Sequence, residues 1–125
     1  MMKYVKVLLK LIVSLTIINV WTFRANKSSI YRGGESVDMV SEFISYGLSI
    51  NIMYLIGAIK VIAALLLFIS IFFKKLESIP LIIISVLMIG AIYFHFSISD
   101  ALIKSFPAAV ILLLCSGIYF LRPAE

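Results

Sequence analysis

The sequence predicts an all-α integral membrane protein: a four-helix bundle with a short amphipathic helix in its first loop. Three observations carry that expectation. The 125 residues are 63% hydrophobic and 14% charged, with a mean hydropathy of +1.18, outside the range of soluble domains. Apolar runs recur at 4–23, 49–73, 79–98 and 106–121, and the first three reach the roughly 20 residues that a helix needs to cross the hydrocarbon core. One polar segment, residues 24–47, separates the first two runs. A single transmembrane domain spanning 1–125 is expected to account for the chain.

The first run begins among Lys3, Lys6 and Lys10 and ends at Trp21. Its start resembles the n-region of a signal peptide, but WTFRANKSS offers no small-residue cleavage site, so a retained helix is expected. Trp21 then belongs to the aromatic belt at the membrane interface, and Lys10 snorkels its ammonium back to the headgroups. Ser14, Thr16 and Asn19 are expected to hydrogen-bond between helices.

In the polar segment, Arg24, Lys27 and Arg32 precede Gly33-Gly34, and Glu35, Asp38 and Glu42 follow. The i, i+3, i+7 spacing places those carboxylates on one helical face, opposite Val37, Val40 and Ile44, and Gly47 suits a helix terminus. A helix of about ten residues lying in the outer interface is therefore expected, its apolar face against lipid or the bundle mouth. Its carboxylates either form a solvated face or point at a ligand or at His95. Arg32 with the two glycines reads as a turn or as an anion-holding loop.

The second run, 49–73, holds a lysine at position 60 on a face shared with Met53, Gly57 and Ala64, which is expected to turn inward. The third, 79–98, has a matching stripe of Met88, Ala91, His95 and Ser99, with Gly90 allowing a close approach. The fourth is short. It gains length if it starts near 101, with Asp100 as N-cap and Pro107 bending its first turns, giving a span of 101–121.

Four spans put both termini on one side. Lys3, Lys6, Lys74, Lys75 and Arg122 lie on that side against Arg24, Lys27, Arg32 and Lys104 on the other, so the positive-inside rule favours cytoplasmic termini. The formal charge of +5 is spread over these flanks, where it attracts anionic headgroups and outlines no nucleic-acid surface. Cys115 has no second cysteine to pair with and His95 is the single histidine, so neither dithiol chemistry nor a metal site of the usual ligands is expected within the chain. Phosphate- and dinucleotide-binding glycine patterns are absent from the sequence, as is a catalytic constellation. Cys115, beside Ser116 and Gly117, is expected to pack.

YRGG at 31–34, EFISYGL at 42–48, MYLIGAIKVIAALLL at 53–67, LMIGAIYFH at 87–95, SD at 99–100 and FPA at 106–108 together resemble the DoxX-like family of small bacterial membrane proteins. The resemblance implies a four-helix membrane bundle. It also implies an association with redox work, since some relatives are described as membrane subunits of quinone-linked or thiol-linked oxidoreductases, although a cysteine pair is missing here.

Lys60 decides how the helices are read. A lysine at the centre of a membrane helix costs about 2.5–3.5 kcal/mol on insertion scales, a cost that the surrounding apolar residues offset. The spans contain no acidic partner for it, so the expected partner is a carbonyl, a water or a bound ligand. His95, nearer the outer end, is either hydrogen-bonded at the interface or a ligand and proton-relay residue. The expected binding residues are Lys60, His95, Glu42, Arg32, Gly57 and Ala91. Together with what the resemblance implies, the function expected is a non-catalytic membrane subunit in a bacterial inner membrane that binds a hydrophobic small molecule such as a quinone and supports a redox partner. Two alternatives stand beside it: an assembly protein or homo-oligomer that engages a protein partner through the acidic outer helix, and a proton or small-solute conduit.

Overall fold

A computed structural model describes residues 2–22 and 38–121 of the chain. Four helical stretches are long and apolar enough to cross a membrane, formed by α1 Met2–Trp21, α3 Ile50–Ile69, α4 Ser78–Ser97 and α5 Phe106–Phe120, the last together with the turn from Leu102 that leads into it, and the short α2 Met39–Ser45 lies between the first two. No strand is present among the described residues. The four long helices close into a ring, α1 against α3, α3 against α4, α4 against α5 and α5 against α1, while α2 packs on α3.

Helix packing inside a bilayer cannot rely on expelling water and depends on close fit and polar contacts. Val13, Ile17, Ala63, Ala64, Leu67, Leu81, Ile84, Ile111, Cys115 and Ile118 fill the centre of the ring, whereas Leu8, Leu15, Leu55, Ile62, Ile82, Val86 and Leu113 face outward. Cys115 is a packing residue, as its small neighbours suggested.

One end of the ring is held by charge. The Glu77 Oε1 atom lies 2.7 Å from Lys10 Nζ and 2.9 Å from Lys6 Nζ. Lys10 Nζ also donates to the Ser70 carbonyl at 3.2 Å. Lys10 is 4% exposed, so it does not snorkel to the headgroups as expected but turns inward to a carboxylate and a carbonyl brought by the α3–α4 connection. Ser14 donates to the Lys10 carbonyl of its own helix at 2.7 Å, and Thr16 and Asn19 are exposed, so none of the three makes the interhelical bond expected of it.

The opposite end carries α2, and two matching turns shape it. Asp38 caps α2, accepting from the Ser41 N–H at 2.8 Å while the Ser41 hydroxyl receives the Asp38 N–H at 3.2 Å. This cap shortens the expected helix to seven residues and takes Asp38 off its acidic face; Glu35 lies outside the described residues. At the other end Gly47 N–H bonds Ile44 O at 2.9 Å and Leu48 N–H bonds Phe43 O at 3.0 Å, a Schellman turn that Gly47 permits with φ of 79°. The end of α4 repeats it: Ser99 N–H to Phe96 O at 3.1 Å and Asp100 N–H to His95 O at 2.9 Å, with Ser99 at φ of 57°. A left-handed backbone at a residue with a Cβ costs about 1–2 kcal/mol, so this turn is held by what it positions. Asp100 is therefore not the cap of the last span. Leu102–Ser105 forms a 3-10 turn, and α5 begins at Phe106 with Pro107 in its first turn, where its fixed φ suits a helix start.

Candidate functional site

Between the α2 end and the packed centre lies a cavity of about 610 Å³ lined by all five helices. Its walls are mostly apolar, with four aromatic rings and a few convergent polar groups, the usual make-up of a small-molecule site.

Two aromatic groupings frame it. Trp21 does not join an outer belt as expected; its ring turns into the bundle, edge-on to Phe43 with centroids 5.8 Å apart. Gly57 makes this possible, since a Cβ there would fall 2.6 Å from Trp21 Cε3 and 2.7 Å from Cζ3. Tyr46 stacks on Phe94 at 5.4 Å with planes 28° apart. Gly90 makes no close helix contact, contrary to expectation: a Cβ there would meet nothing within 4 Å, so this glycine widens the cavity wall.

Lys60 enters the cavity from α3, about 15 Å along the helix from Ile50 at 1.5 Å per residue. Its Nζ sits 5.0 Å from the centroid of the Trp21 ring, the geometry of a cation–π contact. It also interacts electrostatically with the Glu42 carboxylate. The loop helix thus brings a carboxylate into electrostatic range of Lys60. Glu42 is 9% exposed and turned toward the bundle with Met39 and Phe43, while Ile44 is 63% exposed. Of the two orientations expected of the α2 carboxylates, this is the one that points toward His95, and Ile44 of the apolar face turns outward instead.

From Glu42 a polar string crosses the outer end of the cavity. Tyr46, one turn on, donates its hydroxyl to Glu42 Oε2 at 3.0 Å. The same hydroxyl lies 3.3 Å from His95 Nδ1 and 3.4 Å from Nε2. His95 Nδ1 is closer still to Asp100 Oδ2, at 2.8 Å, and Asp100 Oδ1 lies 3.8 Å from Lys104 Nζ. The Schellman turn at Ser99 explains the His95–Asp100 pair, because that geometry brings the residue two past the helix end back over the last turn.

Of the residues expected at the site, Lys60, His95, Glu42 and Ala91 line one cavity and Gly57 lies behind its Trp21 wall. Arg32 lies outside the described residues. Ser99, expected on the inward stripe of α4, is exposed beyond the helix end. Sequence reasoning missed Trp21, Tyr46, Phe94 and Lys104 as cavity residues and gave Asp100 another role. The i, i+4 spacing of Glu42 and Tyr46 was a visible signal; the Trp21–Gly57 contact left none.

The family model of the DoxX-like family matches residues 11–118, a stretch that contains α2, α3 and α4, the second half of α1 and all but the last two residues of α5. The chain belongs to the DoxX-like family. No curated protein and no solved structure matches it significantly. This DoxX-like protein is a multi-pass integral membrane protein, and its cavity lies inside the matched stretch. Among the described residues no cluster of three metal-ligating side chains occurs.

Proposed function

We propose that this protein is a non-catalytic subunit of a bacterial inner membrane that holds a flat hydrophobic ring, of the quinone class, and presents it to a redox partner. The single observation that carries this reading is the cavity of about 610 Å³, walled by Trp21, Phe43, Tyr46 and Phe94 and fitted with the Lys60 ammonium and the Tyr46–His95 pair. Aromatic walls accommodate a planar ring by offset stacking or edge contacts, and ammonium and hydroxyl donors suit its carbonyl oxygens.

Two features weigh against the alternatives. Glu42 is turned inward and Asp38 caps its helix, which leaves little of an acidic outer face for a protein partner among the described residues. Beneath the cavity Ala63, Leu67, Ile84 and Ile118 are at most 1% exposed, a packed apolar layer that favours a closed-bottomed site over a through-going conduit. The test is mass spectrometry of the organic extract of purified protein, together with titration of menadione against Trp21 fluorescence. A co-purifying quinone and saturable quenching are expected; a quinone-free extract with no quenching rejects the reading.

A further inference from the structure

We propose that Glu42, Tyr46, His95 and Asp100 form a relay that takes one proton from a hydroxylated aromatic ligand in the cavity, with Lys60 holding the oxyanion left behind. The inference rests on the ring-binding reading above and specifies its ligand as a ring with a weakly acidic hydroxyl, such as a hydroquinone.

The hydrogen-bond arithmetic of the string supplies the argument. With His95 Nδ1 given to Asp100 at 2.8 Å, Nε2 is the nitrogen left for the Tyr46 hydroxyl. When His95 is neutral its Nε2 is an acceptor, and the one Tyr46 proton faces two acceptors, Nε2 and Glu42 Oε2. One further proton resolves the conflict: Nε2–H donates to the Tyr46 oxygen, Tyr46 donates to Glu42, and Nδ1–H donates to Asp100. Each contact then has one donor and one acceptor.

The transfer balances without any electron change. The ligand O–H bond breaks and an O–H bond forms on Glu42. Glu42 passes a proton to the Tyr46 oxygen as the Tyr46 hydroxyl proton moves to Nε2. The products are a ligand oxyanion, a restored Glu42 carboxylate, a neutral Tyr46 and a His95 imidazolium. Asp100 is a positioning residue here, fixing the ring through Nδ1. Among the described residues, the charged and titratable groups around the path are Lys60 from α3, Glu42 from α2 and Tyr46 just past its end, Asp100 from the α4–α5 turn and Lys104 ahead of α5, while α1 lines the cavity with uncharged residues.

The chain has one tryptophan and one histidine, and both line this cavity, so binding and protonation have separate reporters. Protein labelled with ¹⁵N-histidine in lipid nanodiscs would be titrated anaerobically with menadiol and, as a control with no proton to give, 1,4-dimethoxy-2-methylnaphthalene. Both compounds should quench Trp21, and menadiol alone should bring the two His95 nitrogen resonances to the near-equal positions of an imidazolium. Tyr46→Phe removes one binding hydroxyl, so it should need more menadiol to saturate Trp21 quenching, and at saturation it should leave His95 unchanged. Quenching by menadiol without a change at His95, or the same change with the dimethyl ether, overturns the relay while leaving ring binding intact. If neither compound quenches Trp21, ring binding fails and the relay with it. Should Tyr46→Phe not fold, the ether control on the unaltered protein decides.

Discussion

The Lys60 ammonium rests 5.0 Å from the centre of the Trp21 ring, and Trp21 can lie there because position 57 has no side chain. One contact thus joins the deep cation of α3 to the end of α1 and forms a wall of the cavity. Lys60→Met keeps the length and apolar volume while removing charge and donors. It should leave helical content intact and weaken menadione binding by tenfold or more, the effect of losing a charge-assisted hydrogen bond of about 1.5–3 kcal/mol. Binding within twofold of the parent would show that Lys60 serves packing alone.

Gly57→Ala drives a methyl into the Trp21 ring, which must move because the contact would be 2.6 Å. Overpacking of this kind costs roughly 1–3 kcal/mol. The expected readouts are a shifted Trp21 emission maximum and a lower melting temperature in detergent. An unshifted emission spectrum would mean that the ring sits elsewhere.

Gly90→Leu makes the opposite test. A side chain there enters open cavity and not a helix contact, so stability should change little while menadione binding is blocked. Loss of folding together with binding would indicate that Gly90 packs against a neighbour.

Glu77→Gln leaves Lys6 and Lys10 without their carboxylate in a buried site, a change expected to cost on the order of 3–5 kcal/mol. Adding Lys10→Met should recover part of that loss, because it removes the ammonium the substitution stranded. A double variant as unstable as the sum of the two singles would show that the charges do not interact.

If the lysine-rich side is cytoplasmic, a reporter fused after Glu125 should be cytoplasmic and Ser29→Cys should be labelled from outside by an impermeant maleimide. Cys115 is buried and should stay silent in both experiments. Labelling of Ser29→Cys only after permeabilisation would invert the topology.

Hydropathy made the spans legible because length and apolarity are what a bilayer demands of a helix. Gly47 as a terminus and Lys60 as a special residue were legible for the same kind of reason: each departs from what its local environment tolerates. The orientation of α2 was legible only as one of two alternatives. In a soluble protein apolar periodicity identifies the inward face, but next to lipid Ile44 can face outward at no cost, and Glu42 has reason to face inward when Lys60 and Tyr46 are there to receive it. The pairing of Lys10 with Glu77 was hidden likewise, since snorkelling is the local solution for a lysine near a helix end and only the tertiary arrangement offers a better one.

The Lys6–Lys10–Glu77 cluster also bears on the order in which the chain can settle. The lysines enter with the first helix, whereas their carboxylate is made only after the whole of α3 has been synthesised. A nascent chain ending before Glu77 must therefore leave both ammoniums at the headgroups, near the membrane surface where α1 begins. Seating of α1 at its final depth and rotation then waits for the α3–α4 connection to arrive, and a chain truncated at that point would expose two unmatched positive charges to the machinery that inspects membrane proteins.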